Sequence, residues 1–184
     1  MINLSLFPFS VQDVKLADLN IPISSIKPGS KPPINLVDGG DDGISIVLHF
    51  GKEQPREHVT AIVVTIISKI PDPISDLELK AVVPKGIIRI LTVYKSFSPL
   101  TLIVIWFCLN TYIDKFTGCK VKLQAPSSRE LPAHNPFVPP AAITQVMLIA
   151  NPQQQQNITM KYVLSFLVDG EPQTEMGEAK NIQI

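Results

Sequence analysis

Apolar and polar residues alternate with a period of two along much of this chain, and this alternation restricts its fold more than any other feature. Residues 44–50 place isoleucine, leucine or phenylalanine at every second position, which is typical of a half-buried strand. Residues 59–68 are rich in β-branched residues and apolar on both faces, which predicts a central strand. Further strands are predicted at 77–83, 119–124, 143–150 and 158–166. At least six strands without a helical period indicate an all-β, immunoglobulin-like antiparallel β-sandwich.

The composition agrees with this fold class and argues against several kinds of partner and site. The chain has 17 prolines, which break helix interiors and belong in turns and at sheet edges. Its 16 basic residues balance 16 acidic ones, so we expect neither nucleic acid nor an anionic membrane as a partner. Two cysteines are too few for a disulfide framework or a cysteine metal site, which indicates a reducing compartment.

Two parts of the chain do not follow the strand pattern. Residues 1–33 are interpreted as a leader and a proline-containing hinge without a signal peptide, and residues 34–184 as one domain. Residues 86–117 interrupt this domain as a long irregular insertion that contains the single tryptophan. Its longest apolar run, residues 100–109, is well short of the roughly 20 residues that span a bilayer, so membrane insertion is not expected.

No pattern in the sequence predicts catalysis, a metal or a cofactor. The run 38–43 resembles a calcium loop, but Gly40 and His49 occupy ligand positions, and we interpret the run as a turn. The three histidines share no spacing, and no nucleophile has a paired base. Cys119 is expected to be an inert thiol facing the core. We therefore predict a protein that is not an enzyme.

A group of lysines is the more informative feature. Lys120, Lys122 and Lys161 are expected to point away from the core, with Lys85 at the end of a strand. They form either a local basic face for a ligand or an ordinary solvated surface, and the pattern alone leaves both open.

The sequence LPAHNPFVPPAAITQVMLIANP, residues 131–152, strongly resembles the gamma-adaptin ear domain. The resemblance extends to IPISSIKPGSKPP, ISIVLHFGKE, KVKLQAPSSREL and MKYVLSF, and it is strongest to the ear of the Golgi-localised, gamma-ear-containing, ARF-binding adaptors. It implies about eight strands in two sheets and a monomeric, non-enzymatic appendage of a clathrin adaptor. The expected partners are short peptides of accessory proteins with an acidic Phe or Trp motif of the DFGx-hydrophobic type, in transport between the trans-Golgi network and endosomes.

The resemblance also implies where the peptide binds. The family's peptide pocket falls on Val82, Lys85, Lys120, Leu123, Pro126, Thr159 and Lys161. The family usually carries two arginines where this chain has Thr159 and Lys161, so recognition of the peptide's acid is expected to be weaker. The family's C-terminal Pro-Pro-Trp stretch is missing, and no cargo-binding domain precedes the hinge, so we expect a fragment or a short isoform.

Removing residues 86–117 restores the family's pattern, because AVVPK then continues directly into GCKVKLQ. Our hypothesis is that these residues, and also residues 1–10, are translated intron sequence. Three alternatives follow for the function. The chain could be the ear of a gamma-adaptin large subunit, a product whose insertion blocks the pocket, or an enzyme that uses His49 or Cys119.

Overall fold

The computed structural model describes residues 14–40, 42–83 and 119–184. The leader before residue 14 and the insertion 86–117 lie outside the described residues. Within these ranges there are a 3-10 turn at Ile23–Ser25 and eight strands. The strands are β1 (Ile34–Val37), β2 (Ile44–Phe50), β3 (Val59–Ser68), β4 (Ile74–Val82), β5 (Lys120–Leu123), β6 (Ala142–Ala150), β7 (Ile158–Val168) and β8 (Glu171–Ile182).

The strands form two antiparallel sheets. One sheet has the order β1-β2-β3-β6-β5, and the other has the order β4-β7-β8. The all-β sandwich and the six strands predicted from the alternation are confirmed, although β4 begins at Ile74, three residues earlier than expected. The predicted turn at 38–43 connects β1 to β2, and its Gly40 has a φ of 62°, which glycine adopts at little cost.

The main core lies between the two sheets and follows the alternation. Every second residue of β2 is buried, and the same is true of the first nine residues of β7. The largest fully buried side chains are isoleucines, leucines and Met147 from both sheets. Tyr162 in β7 donates a hydrogen bond from its hydroxyl to the carbonyl of Leu36 in β1 at 3.1 Å, which ties one sheet to the other.

The outer face of the five-stranded sheet carries a second apolar cluster. Leu16 is 7% exposed and packs with five residues of β3 and β6. These are Val59, Ala61, Val146, Leu148 and Ala150. Val14, Leu19, Ile21 and Ile26 pack against the same cluster. Residues 14–26, called the N-terminal segment below, therefore cover this face, and this explains why β3 is apolar on both sides.

The hinge assignment of residues 1–33 stays a prediction, but its described part is attached to the sheet. Gly29 N donates to Phe50 O at 2.8 Å, and Lys52 N donates to Lys27 O at 2.9 Å. A Cβ added at Gly29 would lie 2.9 Å from Phe50 O, so this close approach of two backbones requires glycine. The chain therefore reaches β1 along the edge of β2 rather than as a separate linker.

Two strands were not predicted from the alternation. β8 has one fully buried residue, Ile182, because it is an edge strand with most side chains in solvent. A signal for it exists in the sequence: Asp169 and Gly170 join β7 to β8 with φ values of 54° and 82°. Asp-Gly is a preferred pair for a two-residue hairpin with positive φ at both positions. The four-residue β1 is too short to show a clear period.

Candidate functional site

The candidate site lies where β4, the edge strand of one sheet, meets β5, the edge strand of the other. A groove of about 1110 Å3 opens there. It is lined by residues 14–18 of the N-terminal segment, residues 81–83 at the end of β4, and residues 119–122 at the start of β5. Val83 and Cys119, which flank the undescribed residues 84–118, are both part of this lining.

Three of the seven predicted site residues lie on the outer face of the three-stranded sheet. Val82 is directly opposite Lys161 on the neighbouring strand β7, and it is 57% exposed. Lys161 is exposed and Thr159 is half-buried, and both alternate with the buried residues of β7. The structure thus places an apolar side chain, an ammonium group and a hydroxyl on one face of this sheet, the first on the edge strand β4 and the other two on the central strand β7.

Three other predicted residues come from the other sheet. Lys120 lines the groove together with Val82. Leu123, at the end of β5, is half-buried and packs against the main core, and Pro126 follows three residues later, also half-buried. Lys85 lies outside the described residues. Leu123, Pro126, Thr159 and Lys161 are not among the residues that line the groove. The predicted residues therefore border β4 from two sides rather than forming one cavity.

The predicted basic face is divided between the two sheets. Lys120 and Lys122 lie on the outer face of the five-stranded sheet, whereas Lys161 lies on the outer face of the other sheet. Lys122 is already engaged: its ammonium group donates to Ala17 O and Leu19 O, both at 2.9 Å, and to Asn20 Oδ1 at 3.1 Å. It therefore holds the N-terminal segment rather than offering its charge to a ligand.

Gln124 and Arg56 hold the same segment. In the orientation of the Gln124 amide that satisfies its hydrogen bonds, Nε2 donates to Ile21 O at 3.0 Å and Oε1 accepts from Ile21 N at 2.9 Å. Arg56 donates to Lys15 O at 2.6 Å, and its two terminal nitrogens contact the Asp18 carboxylate at 3.0 and 3.3 Å. This hydrogen-bonded guanidinium holds the pKa of Asp18 below its ordinary value.

The N-terminal segment is the part of the site that the sequence did not reveal. Its residues 14–18 form one wall of the groove, although they were interpreted as part of a hinge. A weak signal exists in the spacing of Leu16, Leu19 and Ile21, which are three apolar residues before the first predicted strand. The apolar outer face of β3 is a second signal, because an apolar sheet face must pack against another part of the chain to be shielded from water.

Cys119 lines the groove and is hydrogen-bonded to a polar turn. Its Sγ donates to Asn151 Oδ1 at 3.4 Å, and Asn151 is a buried side chain that also donates from Nδ2 to Gln155 O at 3.0 Å. Burial raises the pKa of the Cys119 thiol. Both observations agree with the expected inert thiol, since only the thiolate is a good nucleophile.

The described residues contain no group of three or more histidine, cysteine or acidic side chains that could hold a metal ion. Among the same residues, no helix is long and apolar enough to cross a membrane.

The comparisons with known proteins agree on one family. The family model described as "Adaptin C-terminal domain" matches residues 109–183. The mouse ADP-ribosylation factor-binding protein GGA3 is 34% identical over 168 residues, which are 90% of this chain and 18% of that protein. The human ADP-ribosylation factor-binding proteins GGA1 and GGA2 are 33% and 32% identical over 90% and 94% of this chain. The chain spans only about a fifth of these relatives, 21% of GGA1 and 23% of GGA2.

Solved structures share the fold. A yeast GGA1 GAE domain, in a crystal structure described as GGA1_GAE domain-P21, superposes with a TM-score of 0.53 and 14% identity over 81% of this chain and 97% of that one. The GAE domain of GGA2p from Saccharomyces cerevisiae gives a TM-score of 0.52 with 16% identity, over 84% of this chain and 99% of that one. The solved structures thus share the fold, and the family model and the identity along nine-tenths of the chain show that this chain belongs to the gamma-adaptin ear family.

Proposed function

We propose that this domain is the peptide-binding appendage of a clathrin adaptor and recruits accessory proteins in transport between the trans-Golgi network and endosomes. It would act in the cytoplasm, at the surface of these membranes. The matches to adaptor ears support a role in protein transport, and they confirm the expectation that the domain is not an enzyme. The proposal also includes an acidic aromatic peptide motif, the binding site for that peptide and a monomeric state of the domain.

The observation that carries the proposal is the open edge of β4 beside an exposed apolar residue and a lysine. Near its start, β4 is covered by the loop after β5, because Leu77 N donates to Arg129 O at 3.0 Å. Towards its end, at Val82, no other strand among the described residues pairs with this edge. An extended peptide can add a strand to such an edge through main-chain hydrogen bonds.

The side chains around this edge suit an acidic aromatic peptide. Val82 and the carbon stem of Lys161 offer apolar surface to a ring, and burying a phenylalanine is worth roughly 1.5 to 3 kcal/mol. The ammonium group of Lys161 can meet a carboxylate, whereas Lys80 on β4 is already paired with Glu78 at 3.0 Å. An exposed ion pair contributes less than about 1 kcal/mol, so the charge favours acidic motifs without making the binding tight.

Titration calorimetry with an acidic peptide of the DFGPLV type tests the proposal. We expect an affinity of about micromolar or weaker, because a small interface must offset the cost of ordering the peptide. Lys161→Glu should weaken binding about tenfold, since it replaces attraction by repulsion. Lys52→Glu is the control of equal charge change, because Lys52 is exposed next to β2, away from β4. Equal affinity of both variants would contradict the assignment of Lys161 to the site.

The insertion provides a second comparison. Val83 and Cys119, the described residues on either side of the undescribed stretch 84–118, both line the groove. A variant that lacks residues 86–117 should bind the peptide at least as tightly as the full chain. If only the shortened variant binds, the full chain is the binding-defective product; if neither binds, the proposed function is wrong.

A further inference from the structure

Phe137 is the most exposed large apolar side chain among the described residues. It is 93% exposed, and the neighbouring Val138 is 54% exposed. The phenylalanines of β2 and β7, Phe50 and Phe166, are both 5% exposed and belong to the core. An aromatic ring held in water on a loop offers a large apolar area that another protein could bury.

The backbone around Phe137 is a closed turn. Asn135 Oδ1 accepts a hydrogen bond from Phe137 N at 3.0 Å, and Asn135 O accepts one from Val138 N at 3.3 Å. Asparagine at the first position and proline at the second, here Pro136, are the residues that such a turn favours. The sequence Asn-Pro-Phe therefore presents Phe137 on a hydrogen-bonded turn, and the Asn135 side chain is exposed on the same turn.

The loop that carries the turn has a rigid base. Leu131 is 3% exposed and exchanges two backbone hydrogen bonds with Ile74, at 2.9 and 3.0 Å. His134 N donates to Ile70 O at 3.0 Å, immediately before the turn. Pro139 and Pro140 then restrict the backbone between the turn and β6. Because the turn is already ordered, a partner that binds it has little conformational entropy to remove.

The turn is far from the proposed peptide groove. Its base contacts the start of β4 at Ile74, whereas the groove is at the other end of that strand, at Val82. Eight residue steps along a strand span about 26 Å. Residues 131–142 also contain no acidic side chain, unlike the peptides expected in the groove. The turn is therefore suited to a different partner, and both surfaces can be occupied at the same time.

We infer that the Asn135–Val138 turn is itself a ligand, which inserts Phe137 into the apolar pocket of a separate partner domain that also accepts a hydrogen bond from the Asn135 amide. The ear domain would then bind peptides at one end of β4 and be bound at the other end. This function goes beyond the proposed peptide groove and does not depend on it.

The test uses the full chain and a purified EH domain, a domain class whose ligands are Asn-Pro-Phe peptides, as the probe. Calorimetry should show saturable binding, which Phe137→Ala weakens at least about tenfold, as for a central aromatic anchor. Asn135→Ala should weaken binding about fivefold, because it removes both the amide contact with the partner and the hydrogen bond that Asn135 Oδ1 accepts from Phe137 N within the turn. Met176→Ala is the matched control, since Met176 is 76% exposed on the other sheet.

Thermal unfolding of each variant shows whether the fold is kept, and no change is expected at so exposed a position. An acidic peptide of the DFGPLV type should not compete with the EH domain, which separates this inference from the proposed function. No binding by the full chain, or equal binding by Phe137→Ala and Met176→Ala, would overturn the inference. It would also be overturned if Phe137 instead mediated dimerisation, seen in sedimentation, or attachment to neutral phosphatidylcholine vesicles.

Discussion

Leu16→Ala tests whether the N-terminal segment is an integral part of the domain. Leu16 is 7% exposed and lies against β3 and β6, whereas Ile23 in the same segment is 39% exposed. Truncating a buried leucine costs about 2 to 5 kcal/mol. Because the segment lies on the surface and can settle towards the sheet, we expect the low end, about 2 kcal/mol of unfolding free energy. Ile23→Ala should cost less than about 1 kcal/mol.

The assay is urea unfolding followed by circular dichroism, combined with hydrogen exchange. Leu19 N donates to Leu16 O at 3.1 Å, and Ile21 N is bonded to the Gln124 side chain. Both amides should be protected in the parent chain and exchange faster in Leu16→Ala. Because residues 14–18 line the groove, peptide affinity should fall as well. If Leu16→Ala and Ile23→Ala are equally stable, and if both amides already exchange freely in the parent, the segment is a hinge and our reasoning is refuted.

Three further predictions follow from single contacts. Tyr162→Phe removes the hydrogen bond between the sheets and should lower the unfolding free energy by about 1 kcal/mol, measured in urea. In a Cys108→Ser variant, Cys119 should react with iodoacetamide more slowly than a free thiol at the same pH, because burial raises the pKa of Cys119. Equal rates would contradict the burial of this thiol. The pKa of Asp18 is lowered in the folded state, so its carboxylate helps to hold the N-terminal segment at any pH above the ordinary carboxyl pKa. This contribution is lost as the pH falls through the lowered pKa. The protection factors of the amides in that segment, which are corrected for the intrinsic pH dependence of exchange, should therefore fall in acid, and Asp18→Asn should remove this dependence.

The strands that form the core could be predicted from the sequence because burial on one face imposes a period of two. β3 was predicted with both ends correct, and its apolar outer face was noticed but not explained. The explanation needs a tertiary contact, since Leu16 is separated from Val59 by more than 40 residues and nothing local connects them. β8 was not predicted, because most of its side chains face solvent and such a strand has no alternation of apolar and polar residues.

The candidate site was predicted only through the resemblance to a family. Alternation correctly assigned which lysines point outwards, but a period of two cannot tell which sheet a strand joins. Lys122 and Lys161 therefore looked like members of one face, although they lie on different sheets. That Lys122 is bonded to backbone carbonyls of the N-terminal segment depends on a contact between residues about a hundred positions apart. Contacts of that kind leave no local pattern.

A nuclear magnetic resonance titration of the labelled chain with an acidic peptide of the DFGPLV type tests whether the end of β4 binds the peptide. We expect the amide shifts to concentrate at the end of β4 and on the facing residues, including Val82, Lys161 and Leu123, whereas the amides of Phe137 and Lys52 should not shift. Peptide-induced shifts confined to the outer face of β3 and β6, or spread evenly over both sheets, would contradict the claim that this edge binds the peptide.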